Sequence, residues 1–393
     1  MASTEAAPGD DHPPLLPPSE LGTKEYWETF YERSLAHLSN KRRPGAKAPP
    51  TAEYIAEGGE EERDTNKVDE DEDEDVDDDD DPGTSWFTEH DAPRKVLRFL
   101  TSREFPLAPC NTVPATQRGA KKPSAMQPSA REAQPSILDL GTGNGSMLAL
   151  LRKKGGFRGP MVGVDYSPRS VELARELQRL KLHSAYESDD DSDTESASRA
   201  SVERAEKANE ENEHDEEDDV VVAGDAGAGA VEAIPVPETH TEIRFEVWDI
   251  LNSTDALTRE EISEGKNALD WFPYDKGGFD IVLDKGTFDA VSLSDEVVEE
   301  EGKGTSRVVQ RRVCERYPGV VNRLVRKGGF VVVTSCNWTE EELVRWFTGG
   351  LDKEEQGQDG LYVWGRVEYP RFRFGGQEGQ GVCTVCFRRR GGD

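Results

Sequence analysis

Apolar residues come in short runs along this chain, and long polar stretches separate the runs. Ile137 to Leu140 is the first run, ended by glycines, and Met161 to Val164 is the second, ended by Asp165. Ile243 to Trp248, closed by Asp249, Phe279 to Leu283, and Gly329 to Thr334 follow. Short apolar runs bounded by turn residues predict buried strands. Between them, Ser146 to Lys154 has helical spacing, and Ser167-Pro168 opens an amphipathic pattern that reaches about Leu182, with Pro at a helix-start position. A further helix is predicted from about Thr305 to Arg326 and another from near Thr339. Val363 to Tyr369 and Gly381 to Phe387 read as a terminal hairpin. Apolar strands alternating with helices predict an α/β fold, a parallel sheet with helices on both faces.

The polar stretches hold most of the charge. The chain has 393 residues, with 80 Asp and Glu against 48 Lys and Arg, for a net charge of -32. Glu57 to Asp81 contains 17 acids and 2 bases, and Glu187 to Asp219 contains 16 acids and 3 bases, together -28 of that -32. Such segments cannot bury enough apolar surface to offset the entropy of ordering. The predicted organisation is a disordered N-terminus over 1–20, an N-terminal helix over 21–40 packing on the main domain, and a disordered acidic linker over 41–81. The domain itself fills 82–393, with disordered insertions at about 106–135 and 183–241. The folded part is therefore close to neutral, and the acidic total does not select its partner.

No run of 18 or more apolar residues occurs, and the start, Met1 to His12, lacks the basic and apolar regions of a signal peptide. A soluble cytoplasmic protein is expected. Five cysteines, few and odd in number, fit a reducing compartment. Cys383 and Cys386 form a CxxC inside an alternating run, which puts them on opposite strand faces. With no second Cys or His pair nearby, no metal is expected.

The segment Ile137-Leu138-Asp139-Leu140-Gly141-Thr142-Gly143-Asn144-Gly145 carries the chemistry. Glycines leaving a strand and opening a helix let the backbone pass close to a ligand. The dinucleotide fingerprint G-x-G-x-x-G fails, because its third glycine would fall on Ser146. The pattern present, Asp-x-Gly-x-Gly-x-Gly, resembles the first motif of S-adenosylmethionine-dependent class I methyltransferases. A carboxylate such as Asp139 suits the cationic aminoacyl end and sulfonium of that cofactor better than it would suit a phosphate. Asp165 stands about 20 residues beyond the glycines, where an acid accepts hydrogen bonds from ribose hydroxyls. Its neighbour Tyr166 is a packing partner for adenine. The resemblance places Asp249, with Ile250 beside it, next to the adenine amine, and gives Gly141 to Gly145 and Trp27 cofactor contacts.

The fourth strand separates methyltransferase types. The Asn/Asp-Pro-Pro-Tyr of amide and adenine methylation is replaced by Asp284-Lys285-Gly286-Thr287-Phe288-Asp289-Ala290. That stretch, with Leu21-Gly22-Thr23-Lys24-Glu25-Tyr26-Trp27-Glu28, Trp86-Phe87, Thr334-Ser335-Cys336-Asn337-Trp338 and Phe372-Arg373-Phe374-Gly375-Gly376, resembles the elongation factor 1-alpha lysine methyltransferase family, in its fungal forms and animal counterparts. The resemblance covers the compact segments and none of the insertions. It implies a Rossmann-like seven-stranded class I methyltransferase sheet, mostly parallel with a C-terminal antiparallel hairpin. It also implies methyl transfer from S-adenosyl-L-methionine to a lysine of translation elongation factor 1-alpha, without nucleic acid or membrane as partner.

A lysine near pKa 10.4 must lose its proton before attack, which costs roughly 4 to 5 kcal/mol at pH 7. Burial and the sulfonium charge both lower that pKa. Asp284 is therefore expected first to orient the amine and second to accept its proton. Trp27, Trp86 and Trp338 are candidates to wall a lysine channel, although Trp27 also shares an amphipathic pattern with Tyr31, Leu35 and Leu38. Asn337 either bonds substrate or caps the next helix, where Thr339 is the better cap. Alternatives are a class I methyltransferase for another protein, RNA or a small molecule, and a non-catalytic cofactor-binding interaction protein. A dinucleotide oxidoreductase is disfavoured by Ser146.

Overall fold

The computed structural model describes residues 12–41, 87, 90–112, 134–181, 242–253, 255–301, 308–349, 359–374, 377–379 and 381–391. Both acidic blocks, Trp86 and the Gly375-Gly376 pair lie outside the described residues.

Seven strands form one sheet: β1 (Ile137–Leu140), β2 (Met161–Asp165), β3 (Arg244–Val247), β4 (Phe279–Lys285), β5 (Val325–Ser335), β6 (Leu361–Val367) and β7 (Cys383–Arg389). They lie in the order β3-β2-β1-β4-β5-β7-β6. The first five pair in parallel, and β7 alone runs antiparallel, inserted between β5 and β6. The order turns back at β1, so β1 and β4 are adjacent although β2 and β3 intervene in sequence. In such sheets the crevice at the carboxyl ends of the strands beside this reversal is where ligands bind.

Strands β1, β2 and β4 are buried on both faces, so they show little alternation in sequence. Residues one apart still enter different cores. Leu138, Leu140, Val162, Val164, Val282, Val331 and Val333 pack on one face. Ile137, Met161, Ile281, Leu283, Phe330 and Val332 pack on the other. Cys383 and Cys386 follow the same rule and fall in opposite cores. Each such side chain contributes about 1.5–3 kcal/mol on burial.

Seven helices position the site: α1 (Lys24–Lys41), α2 (Ala92–Thr101), α3 (Ser146–Lys153), α4 (Pro168–Leu180), α5 (Thr287–Ser292), α6 (Tyr317–Leu324) and α7 (Glu340–Gly349). The α4 start follows its sequence, since the Ser170 N–H donates to Ser167 Oγ at 3.2 Å and Pro168 occupies the first turn. For α7, Thr339 and Glu342 exchange side-chain to backbone bonds of 3.3 and 2.9 Å, so Thr339 and not Asn337 is the cap. Leu38 of α1 packs with Leu173 and Leu177 of α4, with Tyr31 and Leu35 against them.

Two expectations need correction. The helix predicted over 305–326 is instead an antiparallel ribbon, Val297–Glu301 with Val308–Arg312, then a short 3-10 turn and α6. Pro318 and Gly319 lie mid-way through the predicted helix, and Pro is tolerated only in a first turn, so the helix starts at Tyr317. The β-branched Val297, Val298, Val308 and Val309 favour strands. The second correction concerns the N-terminus. Residues 12–22 are laid across the domain: the His12 ring stacks on Trp346 at 4.6 Å, the Ser19 N–H donates to Leu293 O at 3.1 Å, and Arg312 donates to Leu16 O at 2.6 Å. Prolines lower the ordering cost of such a strap, and Arg312 supplies the donor.

Candidate active site

The carboxyl ends of β1 to β4 open into one cleft. Gly141, Thr142, Gly143 and Asn144 line it after β1, Asp165 and Tyr166 after β2, and Asp249 to Asn252 after β3. Lys285, Gly286 and Thr287 line it after β4, and Trp27, Phe30, Tyr31 and Ser34 of α1 wall the remaining side.

The glycine turn is required by conformation and by space. Gly141, Gly143 and Gly145 have φ of 56°, 57° and 73°, which L side chains rarely adopt. A Cβ at Gly141 would stand 2.3 Å from Thr287 Oγ1, and one at Gly143 would stand 3.3 Å from the Tyr31 hydroxyl. The turn is fixed from below by two acids. Asp139 is buried and accepts from Thr142 Oγ1 at 2.8 Å. Burial raises its carboxyl to about 6, against the pull of the Thr142 bond and the Lys285 charge. Asp165 accepts from the N–H groups of Gly143 and Ser167 at 3.1 and 3.0 Å and from Ser170 Oγ at 2.7 Å. Burial pushes Asp165 up and these bonds pull it down. Asp249 folds over its own turn, accepting from the N–H groups of Leu251 and Asn252 at 3.0 Å each. Ile250 lies beside it in the wall.

Trp27 is buried against the cleft and its indole N–H donates to Leu21 O at 2.8 Å. Tyr166 faces the same space, with Lys24 Nζ 5.6 Å from its ring centroid. Sequence reasoning missed Tyr31 and Phe30 as wall residues, although their helical spacing with Trp27 and Ser34 was the available signal.

The predicted catalytic group is not assembled in the cleft. Asp284 is buried at the end of β4, and its Oδ1 accepts from the N–H groups of Thr287 and Phe288 at 2.9 and 3.2 Å, capping α5. Its Oδ2 accepts from the Tyr317 hydroxyl at 2.8 Å. Burial raises Asp284 to about 7, while the Tyr317 and backbone hydrogen bonds act against the shift. Successive strand residues point to opposite faces, and it is the next residue, Lys285, that lines the cleft. Trp338 is buried with Phe288 and Trp346, its indole N–H donating to Ser292 Oγ at 3.2 Å, and it is not among the residues lining the cleft. Asn337 is exposed and outside the cleft lining. Asp289, singled out by no motif argument, anchors this turn by accepting from the Cys336 N–H at 2.8 Å.

Among the described residues no group of His, Cys, Asp and Glu is placed to hold a metal, and no helix is long and apolar enough to cross a membrane.

A family model described as a methyltransferase domain matches residues 132–188, which span the glycine turn and Asp165. The protein-lysine N-methyltransferase EFM4 of Saccharomyces cerevisiae is 27% identical over 372 residues, 95% of this chain and 96% of that one. The human EEF1A lysine methyltransferase 2 is 23% identical over 387 residues, covering 98% of this chain and 93% of its own. The protein-lysine N-methyltransferase efm4 of Schizosaccharomyces pombe is 23% identical over 378 residues, 95% of each chain. The chain is similar to these lysine methyltransferases over nearly its whole length. The likeness extends beyond the segment matched by the family model, through β4 to β7.

The methyltransferase's residues fit S-adenosylmethionine. Gly141 and Gly143, both with positive φ, leave room that a Cβ would fill. Acids stand at three successive strand ends, Asp139, Asp165 and Asp249, of which the last two line the cleft. Lys24 and Lys285 are the only cations in the lining among the described residues.

Proposed function

We propose that this protein methylates a lysine of translation elongation factor 1-alpha, using S-adenosyl-L-methionine, in the cytoplasm. The observation that carries the reading is the union of a methyl-donor cleft with near full-length similarity to lysine methyltransferases of fungi and animals.

The order β3-β2-β1-β4 orients the donor. Asp249 and Ile250 take the adenine, Asp165 the ribose with Tyr166 packed beside it, and Gly141 to Gly145 with Asp139 the aminoacyl part. Three inter-strand spacings, about 14 Å, let an extended adenosyl-amino acid cross from β3 to β4. The bound donor supplies an electrophilic methyl group whose bond to sulfur breaks as the lysine nitrogen bonds the carbon, leaving S-adenosylhomocysteine and one proton. The chain's own part is to exclude water, through Trp27, Phe30 and Tyr31, and to hold the reacting atoms in line. Asp284 acts in this scheme as a positioning residue, because its carboxylate fixes the Thr287 and Phe288 N–H groups at the start of α5. Asn337 is assigned to the outer rim facing the protein substrate.

The test is incubation of purified elongation factor 1-alpha with methyl-labelled S-adenosylmethionine and the protein, with Asp165→Ala as control. Label in a lysine, absent in the control, supports the reading. Label only in RNA or in another protein of a lysate, or cofactor binding without transfer, overturns it.

A further inference from the structure

The lining of the cleft is acidic at its β2 and β3 edge, where Asp165 and Asp249 stand, and Glu296 adds a third acid near α5. Among the described residues its cations are two. Lys24 is engaged over the Tyr166 ring, at the end assigned to the nucleoside. Lys285 lies at the opposite end, on β4, across β1 from Tyr166. It is half-buried, and among the described residues its Nζ has no hydrogen-bond or ion-pair partner; its one polar contact there is with the Phe87 ring face, 5.8 Å from the centroid. Asp139 and Asp284 act on it through charge without reaching it as ion-pair partners.

An ammonium held in partial burial without a direct ion-pair partner is costly, and it is an attractive place for an anion. The donor has one anionic group, the carboxylate of its aminoacyl end. With the adenosine fixed at β2 and β3, that end must reach toward β4. We propose that Lys285 is the counter-charge that receives the donor's aminoacyl carboxylate and so sets the position of the sulfonium beside it. The proposal rests on the donor orientation given above. Lys24 cannot serve, since it stands at the nucleoside end. The glycine turn offers backbone N–H groups but no full charge.

Burial already pushes the Lys285 ammonium below its ordinary range, and a bound carboxylate would hold the proton on it. A ligand carboxylate beside Lys285 would thus favour its charged form, while its position one residue from Asp284 keeps it clear of the α5 cap.

The experiment is calorimetric titration of Lys285→Met and wild-type protein with two ligands, S-adenosylhomocysteine and its decarboxylated analogue, which keeps the amine. Thermal melting of both proteins accompanies it. The expected result is a loss of about ten- to hundredfold in affinity for S-adenosylhomocysteine in the variant, the scale of a charge-assisted hydrogen bond, and a change of less than about threefold for the decarboxylated ligand. Lys285→Arg keeps most of the preference. Equal loss on both ligands, or none on either, overturns the proposal. Failure of the wild type to bind either ligand would instead overturn the donor orientation on which it rests.

Discussion

Asp284 offers a quantitative test of where the acid on β4 acts. Replacement by Asn keeps an oxygen for the Thr287 and Phe288 N–H groups and leaves a polar group opposite the Tyr317 hydroxyl. It removes the ability to ionise. The folded carboxyl is raised to about 7 by burial, against about 3.9 in the unfolded chain. Because the folded value is the higher one, the protonated carboxyl favours the folded state fully below about pH 4, and this contribution is lost as pH rises through 7. Three pH units at about 1.36 kcal/mol each give about 4 kcal/mol between those limits. Other titrating groups are shared by both proteins and cancel in the difference. Urea unfolding at pH 5, 6, 7 and 8 should therefore show Asp284→Asn gaining on the wild type by about 2.7 kcal/mol from pH 5 to pH 7, the two-unit share of that sum, and levelling off by pH 8. A stability difference that stays constant across this range would refute the buried, charge-penalised placement. Abolished methyl transfer with unchanged donor affinity would instead return Asp284 to the reacting atoms.

Three further outcomes follow from the geometry. Gly143→Ala places a side chain at φ 57°, with its Cβ 3.3 Å from the Tyr31 hydroxyl, at about 1–2 kcal/mol of backbone strain; calorimetry should show at least about tenfold weaker donor binding. Arg312→Ala removes donors from the carbonyls of Leu16, Ser292 and Ser294, and should cost about 1–3 kcal/mol in urea unfolding while exposing residues 12–22 to limited proteolysis; an unchanged cleavage pattern would count against the clasp. Asn337→Ala should leave stability within about 0.5 kcal/mol and donor affinity unchanged, as its side chain is exposed and outside the cleft; altered donor affinity would contradict that placement.

The parts of this protein legible in sequence are those where a single residue type decides the local structure. Glycines at 141, 143 and 145 mark a turn with positive φ, and Asp165 and Asp249 end their strands because no buried interior position would accept them unpaired. The second arm of the ribbon, 308–312, falls inside the predicted 305–326 helix because short β-branched runs fit either pattern. Lys285 was overlooked for a different reason. Strands buried on both faces carry no alternation, so sequence could not tell whether Asp284 or its neighbour looks into the cleft. Placement of Trp338 depended likewise on three aromatic rings, Phe288, Trp346 and its own, coming from separate elements.

The cleft's outer wall belongs to α1, which reaches the sheet through residues 42–86, yet the grip of Leu38 on Leu173 and Leu177 and the Arg312 clasp are made by residues outside that stretch. Continuity of the peptide there is thus separable from the wall itself. A chain split between those limits should reassemble from two fragments, and the donor, touching both, would act as the glue. Fragment association would then tighten as donor concentration rises, turning a methyltransferase cleft into a ligand-dependent junction between two polypeptides.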